Sequence, residues 1–444
     1  MIATLIMPLL ATQFRPFPLI PKPTASTLTW TRPVICEIPN NFADGIFKSG
    51  KADAKNFSPP IRFYKDDKEG FKISIARQQI GILSKPGFNQ SMAVEYLSRL
   101  TKINNGAKVL PTGTVELRPK VAWRGVHLFV GPKALAFHKK LWTKVLLPLG
   151  FNKVVLQCEQ TEWKCLPNLR GGINMKREDL RKLCEWYRSV GVEVIPLIQS
   201  FGHVKWLNNN GANRDLFLNP SVPFAVDPRK AKVKQLYSRL WKEVIEVTKP
   251  RTIHVGLDEI DFRGFPKDPE LLTKLWKIQV PFLASIAKQN KVTMMLWGDE
   301  LLAPEEGAAP HRAKTKEEAK ARRSVIPKGS FICDWHYQKN ADPKLYEASL
   351  ELLQNEGFRP IASSWFEPEN IRGFNLAAIS AGAGTLQTTW AGYESNENVM
   401  SKNLGQFSAM VLAADYAWSG RTELPSKIGY EPAKVFNRLY KGKY

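Results

Sequence analysis

The sequence predicts an α/β fold, a (β/α)8 TIM barrel with a small N-terminal α/β domain. Eight short apolar runs rich in strand-forming residues lie at 121–129, 153–158, 193–199, 252–257, 292–297, 330–335, 359–365 and 384–390. Stretches with helical spacing separate them, at 133–147, 176–190, 229–247, 269–289, 343–355 and 399–417, and such alternation specifies parallel strands covered by helices. Eight units is the number that closes a barrel, and the 444 residues hold a barrel of roughly 250–300 residues plus one smaller domain. An eight-unit doubly wound open sheet is the competing architecture.

Taken in chain order, residues 1–35 read as an extended leader, because Pro16, Pro18, Pro21, Pro23 and Pro33 oppose regular structure. Residues 1–12 are apolar like the core of a secretory signal, but the first basic residue, Arg15, follows that stretch instead of preceding it, so export and a cytoplasmic location both stay open. Residues 36–118 carry β-like runs at 71–75 and 79–83 and a helical stretch at 91–100, which suggest the small α/β domain. The catalytic barrel is expected over 119–425 and a basic tail over 426–444. Beyond the first dozen residues no run approaches the roughly 18 apolar residues that a spanning helix needs.

The composition, 43% apolar and 24% charged, is that of a chain able to bury a sizeable core. Its 13 Trp exceed what a core needs, and flat indole faces suit sugar rings. A net charge of +23 raises nucleic acid as a partner, yet Lys and Arg are scattered. The densest basic run, 311–323, is interrupted by Glu317 and Glu318 as in a solvated helix. No nucleic-acid partner is expected; an anionic glycan, a cell wall or a membrane surface is a better use of the charge. The five cysteines, Cys36, Cys158, Cys165, Cys184 and Cys333, are widely spaced without a C-x-x-C pair, so no disulfide framework, metal site or cofactor is expected.

Barrel active sites lie at the C-terminal ends of the strands. Here the runs end in Glu159, Gln199 to His203, Asp258 and Glu259, Trp297 to Glu300, Asp334 to Tyr337, Trp365, and Trp390 to Glu394. One polar strand end is ordinary, but so many converging on one face describe a pocket of carboxylates and indoles fit for a sugar. Asp258 and Glu259 are adjacent, and strand alternation would send them to opposite faces, so both reach the pocket only if the strand breaks there.

The segment His254-Val-Gly-Leu-Asp258-Glu259, H-x-G-x-D-E at the end of a fourth barrel strand, resembles the β-N-acetylhexosaminidases of glycoside hydrolase family 20. Within that family the third-strand segment from Val194 to His203 is similar to the hexosaminidase D subgroup. Leu218-Asn219-Pro220, Leu296-Trp297-Gly298-Asp299, Asp334-Trp335-His336-Tyr337 and Trp390-Ala391-Gly392-Tyr393 follow in the subgroup's order, over roughly residues 120–420.

The resemblance implies exo-acting, substrate-assisted retention, in which the sugar's own acetamide is the nucleophile. Glu259 would then protonate the leaving oxygen and later deprotonate water, held neutral by burial or a like charge. Asp258 would stay ionised, orient the acetamide N–H and stabilise the oxazolinium. Arg124 corresponds to the arginine that grips sugar hydroxyls; from its residues alone a core salt bridge with Glu159 is equally open. His203 either supports Glu159 or Glu259 by hydrogen bonding or is a satisfied loop histidine, and His254 is expected to be structural. Trp297, Trp335, Trp365 and Trp390 are expected to form an aromatic pocket, and Asp299 and Glu394 to meet hydroxyls.

The chain departs from the family pattern in three places. Leu128-Phe129-Val130 stands where many relatives have an aspartate. Phe366 follows Trp365 where a tyrosine would bond the acetamide oxygen, leaving Tyr337 or Tyr393 as its substitute. Gly392 replaces a hydroxyl-binding glutamate. Two other readings stay open: a barrel glycosidase of another family pairing Glu259 with Glu159 or Asp299, and a sugar-binding protein without turnover.

Overall fold

The computed structural model describes residues 21–23, 25–36, 58–169, 171–261, 269–307 and 310–442. Seven strands build the small domain: β1 (Ala25–Ser26), β2 (Thr29–Ile35), β3 (Ile61–Lys65), β4 (Phe71–Ile75), β5 (Ile80–Ser84), β6 (Lys102–Asn104) and β7 (Ala107–Leu117). Their order is β1-β7-β4-β5-β3, with β2 and β6 also paired to β7. Phe71, Ile73 and Ile75 are buried on one face of β4, and the helix Phe88–Leu100 covers that face with Met92, Tyr96 and Leu97. The sheet corrects one expected boundary. Residues 25–35 are not a separate leader, because β1 and β2 satisfy their backbone groups on β7 and Val34 joins the domain core. Residues 1–20 lie outside the described residues.

The barrel follows as β8 (Arg124–Phe129), β9 (Lys153–Gln157), β10 (Glu193–Leu197), β11 (Thr252–His254), β12 (Thr293–Trp297), β13 (Phe331–Trp335), β14 (Arg359–Ser364) and β15 (Gly384–Gln387). All neighbours are parallel, and β15 closes onto β8 with Thr385 opposite Arg124. Each strand thus lies within one of the eight expected runs, and closure excludes the open sheet. Side chains alternate as a strand requires: Val155, Ile195, Leu197, Met295, Trp297, Cys333, Ile361 and Leu386 fill the interior, while Val126, Leu128, Val154, Leu156 and Val194 pack beneath the helices.

The surrounding helices hold further differences. The expected helix at 133–147 divides into Ala134–Leu141 and a π-helical turn, Trp142–Leu146, and that at 399–417 divides into Glu397–Lys402 and Leu404–Ser419. The helix Pro368–Ala381 was not among those expected. The anticipated basic tail instead contains the helix Pro432–Tyr440, whose Val435, Phe436 and Leu439 bury against the barrel's outer layer. The basic run near 311–323 is not simply solvated. In the helix Lys316–Arg323, Arg322 and Arg323 are buried in ion pairs with Glu300, Glu318, Glu306 and Glu356. The two domains meet where Trp418 joins the core of the small domain and Arg99 Nη2 donates to Pro148 O at 3.1 Å. Among the described residues, no helix is long and apolar enough to cross a membrane.

Candidate active site

The site begins where β11 stops. That strand ends at His254, and Gly256, Leu257 and Glu259 take φ values of 74°, 79° and 48°. Left-handed backbone at a leucine and a glutamate costs about 1–2 kcal/mol each and persists only where surrounding contacts enforce it. Here the contacts come from Gln199. Its Nε2 donates to Asp258 Oδ1 at 2.7 Å, and its Oε1 accepts from Leu257 N at 3.3 Å. A Cβ on residue 256 would stand 1.9 Å from that same Oε1, so the close approach requires glycine.

The broken strand turns both carboxylates toward one histidine. His203 Nε2 lies 3.6 Å from Asp258 Oδ2 and 3.3 Å from Glu259 Oε2. The two acids differ in exposure, 13% for the Asp258 side chain and 42% for that of Glu259, which puts Glu259 at the open side. Behind them, Asp299 Oδ2 accepts from Glu259 N at 2.9 Å and Oδ1 accepts from Trp335 Nε1 at 3.2 Å. Arg312 spans this layer, with Nη2 3.1 Å from Glu259 Oε1 and Nε 3.3 Å from Asp299 Oδ2.

The electrostatics reverse one expectation. Glu259 is not held neutral in the ligand-free site: hydrogen bonding to His203, with the Arg312 guanidinium nearby, holds its carboxyl below the usual range. Burial instead pushes Asp258 up, opposed by the charge of His203 and the Gln199 amide. Asp299 is pushed up to about 7 by burial and then by the charge of Asp258. The histidine is raised: its hydrogen bond to Glu259 and the charges of Asp258 and Glu259 together outweigh burial, which acts the other way. The physical reason for the reversal is position, since the half-exposed Glu259 keeps two cationic partners while the deeper Asp258 loses water.

Glu159, after β9, belongs to the same network. Its Oε1 accepts from Gln199 N at 2.9 Å, its Oε2 accepts from Tyr393 OH at 3.0 Å, and burial pushes its carboxyl up to about 7. Gln199 therefore joins Glu159 to Asp258. The aromatic wall stands opposite in sequence order. Trp297 packs on His254 with centroids 4.6 Å apart and on Trp390 at 5.8 Å; Tyr337 lies between Trp335 at 4.9 Å and Trp365 at 5.4 Å. Trp390 Nε1 donates to Tyr337 OH at 3.2 Å. Gln406 Oε1 fixes the wall by accepting from Trp365 Nε1 and from Trp390 N.

Two expected site residues are placed elsewhere. Arg124 opens β8, at the end of the barrel opposite the mouth, and shares the outward parity of Val126 and Leu128. Its guanidinium donates to the carbonyls of Gly150, Val121 and Ala122 and stacks over Trp418, so it neither grips a sugar nor pairs with Glu159. Glu394 is exposed in an outer groove with Lys133, Lys140 and Glu397, apart from the carboxylate network. Sequence reasoning gave Gln199 no role of its own and did not place Arg312 and Gln406 in the site. Gln199 was visible as a polar strand end; the other two lie on a loop and a helix with no local signal.

The class that the fold and site define is a closed parallel (β/α)8 barrel with paired carboxylates and a cluster of tryptophans at the C-terminal ends of its strands. Residues 152–315 match the family model described as glycosyl hydrolase family 20, catalytic domain. No curated protein matches by sequence. Among solved structures, the chain is similar to the family 20 β-N-acetylhexosaminidase of Streptomyces coelicolor A3(2), at TM-score 0.69 and 15% identity over 96% of this chain and 97% of that one. It is also similar to the β-N-acetylhexosaminidase of Bacteroides fragilis NCTC 9343, at TM-score 0.68 and 15% identity over 96% of both chains. A third, the chitobiase of Flavobacterium johnsoniae, gives TM-score 0.67 and 16% identity over 96% of this chain and 71% of that one. At such identities these likenesses speak for the fold, including the small domain before the barrel.

Proposed function

We propose that the protein is an exo-acting β-N-acetylhexosaminidase that removes a terminal N-acetylglucosamine or N-acetylgalactosamine by substrate-assisted retention. The observation that carries this reading is the shared approach of Asp258 and Glu259 to His203 at a strand end broken by three left-handed residues. A two-carboxylate hydrolase needs a nucleophile across the sugar from its acid, whereas adjacent acids serve a substrate that brings its own nucleophile.

In the first step the acetamide carbonyl oxygen attacks C1 while Glu259 gives its proton to the glycosidic oxygen, and the C1–O bond breaks with its electron pair on the departing alcohol. Asp258, held by Gln199, accepts the acetamide N–H and faces the positive charge of the oxazolinium. Water then adds to C1, Glu259 takes its proton, and the ring opens with the original configuration. Because His203 and Arg312 favour the ionised form of Glu259, it takes up its proton as the glycan covers the mouth and removes water from it. Trp297, Trp365 and Trp390 supply the walls. The buried Trp297 Nε1 has no hydrogen-bond partner among the described residues and is a donor for a sugar oxygen.

The test is release of nitrophenol from nitrophenyl N-acetyl-β-glucosaminide and N-acetyl-β-galactosaminide by the wild type, Glu259→Gln and Asp258→Asn. Activity on at least one glycoside is expected, with losses of about 100-fold or more in both variants. Release from neither sugar, or undiminished turnover by Glu259→Gln, would overturn the proposal.

A further inference from the structure

We infer that the enzyme prefers leaving groups that carry an oxyanion beside the scissile bond, a uronic carboxylate or a sulfate, and that Arg312 is the residue that receives it. This rests on the hexosaminidase reading for the identity of the acid and hence for where the leaving group lies. The acid that protonates the glycosidic oxygen must touch the departing group, so a cation on its open flank faces that group too.

Arg312 occupies this flank. It contacts Glu259 Oε1 at 3.1 Å and Asp299 Oδ2 at 3.3 Å, and its side chain is 37% exposed while Asp299 beneath it is buried. A guanidinium offers five N–H donors in a planar fork suited to carboxylate and sulfate. These two carboxylates engage Nη2 and Nε, and among the described residues Nη1 has no hydrogen-bond partner. The fork therefore has donors left for one more oxyanion on its exposed side.

The charged groups facing Glu259 are His203, Asp258, Asp299 and Arg312. A neutral leaving sugar leaves Arg312 on Glu259 and favours the ionised form, which cannot donate a proton. An anionic leaving sugar competes for the same guanidinium and loosens that hold at the moment a proton is needed. The net charge of +23 adds a long-range attraction for a polyanionic glycan.

The experiment compares kcat/KM for three disaccharides with a terminal N-acetylhexosamine: one β-linked to a uronic acid, one to the same residue reduced to its neutral hexose, and one to that hexose bearing a sulfate. The wild type is expected to favour at least one anionic substrate over the neutral one by about tenfold, as for one charge-assisted hydrogen bond. Whether carboxylate or sulfate gains more identifies the oxyanion. Arg312→Met should abolish the ratio and Arg312→Lys should keep part of it. A ratio near one in the wild type, or the same ratio in wild type and Arg312→Met, overturns the inference. Should Arg312→Met fail to fold, the wild-type ratio is measured against salt: it should shrink as ionic strength rises, and a salt-independent ratio counts against Arg312. Nitrophenyl glycoside release by the wild type separates the outcomes, since its absence defeats the hexosaminidase reading and its presence with no anion preference defeats only this inference.

Discussion

The backbone N–H of Glu259 donates to the buried Asp299 carboxylate at 2.9 Å, so the proposed acid is anchored through its main chain while its side chain meets His203 and Arg312. A residue in left-handed backbone has few other ways to stay in place, and the same carboxylate also accepts from Trp335 Nε1. Asp299 thus couples the acid to the aromatic wall.

Asp299→Ala should lower kcat on a nitrophenyl N-acetylhexosaminide by about 100-fold, the scale of an ångström-sized misplacement of a reacting group. Asp299→Asn keeps an oxygen for the Glu259 N–H and should lose less. Equal losses in the two variants would show that the charge of Asp299, not its anchoring oxygen, matters.

His203 sets the pH range. It faces both acids, which raise its proton affinity, and its cationic form favours their ionised forms. In the proposed mechanism turnover needs Asp258 ionised and Glu259 protonated, so activity rises with pH as Asp258 ionises and falls as Glu259 loses its proton. Removing the cation raises both proton affinities. The pH profile of kcat/KM for His203→Gln should therefore move as a whole to higher pH, and an unmoved alkaline limb would take His203 out of this role.

Glu159 links the site to stability. Its carboxyl is pushed up to about 7 by burial, against roughly 4.3 for an unfolded chain. Between those values the unfolded state has released its proton and the folded state has not. Stability accordingly falls as pH rises through this window, by about 3–4 kcal/mol at most from this group. Asp299, also near 7, adds a slope of the same sign. Thermal melts of the wild type from pH 5 to 8 should show a falling Tm, and Glu159→Gln should flatten the fall. A variant with the full wild-type slope would contradict a buried neutral Glu159.

The fold was legible in the sequence because parallel strands buried on both faces leave long apolar runs, and each barrel strand falls inside one. The adjacent acids were legible too, since their spacing demands a break in strand geometry and the backbone of Gly256, Leu257 and Glu259 supplies it. Arg124 was misplaced by resemblance, although its parity with Val126 and Leu128 already pointed it at the helices. Arg312 was hidden for a different reason. Its contact with Glu259 spans 53 residues and depends on the loop after β12, whose path no periodicity encodes.

In the proposed mechanism, Tyr337 and Tyr393 can be told apart as candidates for the hydroxyl that holds the acetamide oxygen. Tyr393 OH donates to Glu159 Oε2 at 3.0 Å, so its one proton is committed within the protein. Tyr337 OH instead accepts from Trp390 Nε1 at 3.2 Å, and because Thr388 Oγ1 gives its proton to Ser364 O at 2.9 Å, the Tyr337 proton meets that oxygen at a long 3.4 Å and can turn to a ligand. Burial, with a smaller push from the charge of Asp258, keeps the phenol protonated. Tyr337→Phe should cut kcat by about 100-fold or more, the loss seen when one donor to a developing charge is removed, with a smaller change in KM. Tyr393→Phe frees a lone pair of Glu159 and should act mainly on the pH dependence of stability. A larger kcat loss in Tyr393→Phe than in Tyr337→Phe would reverse the assignment.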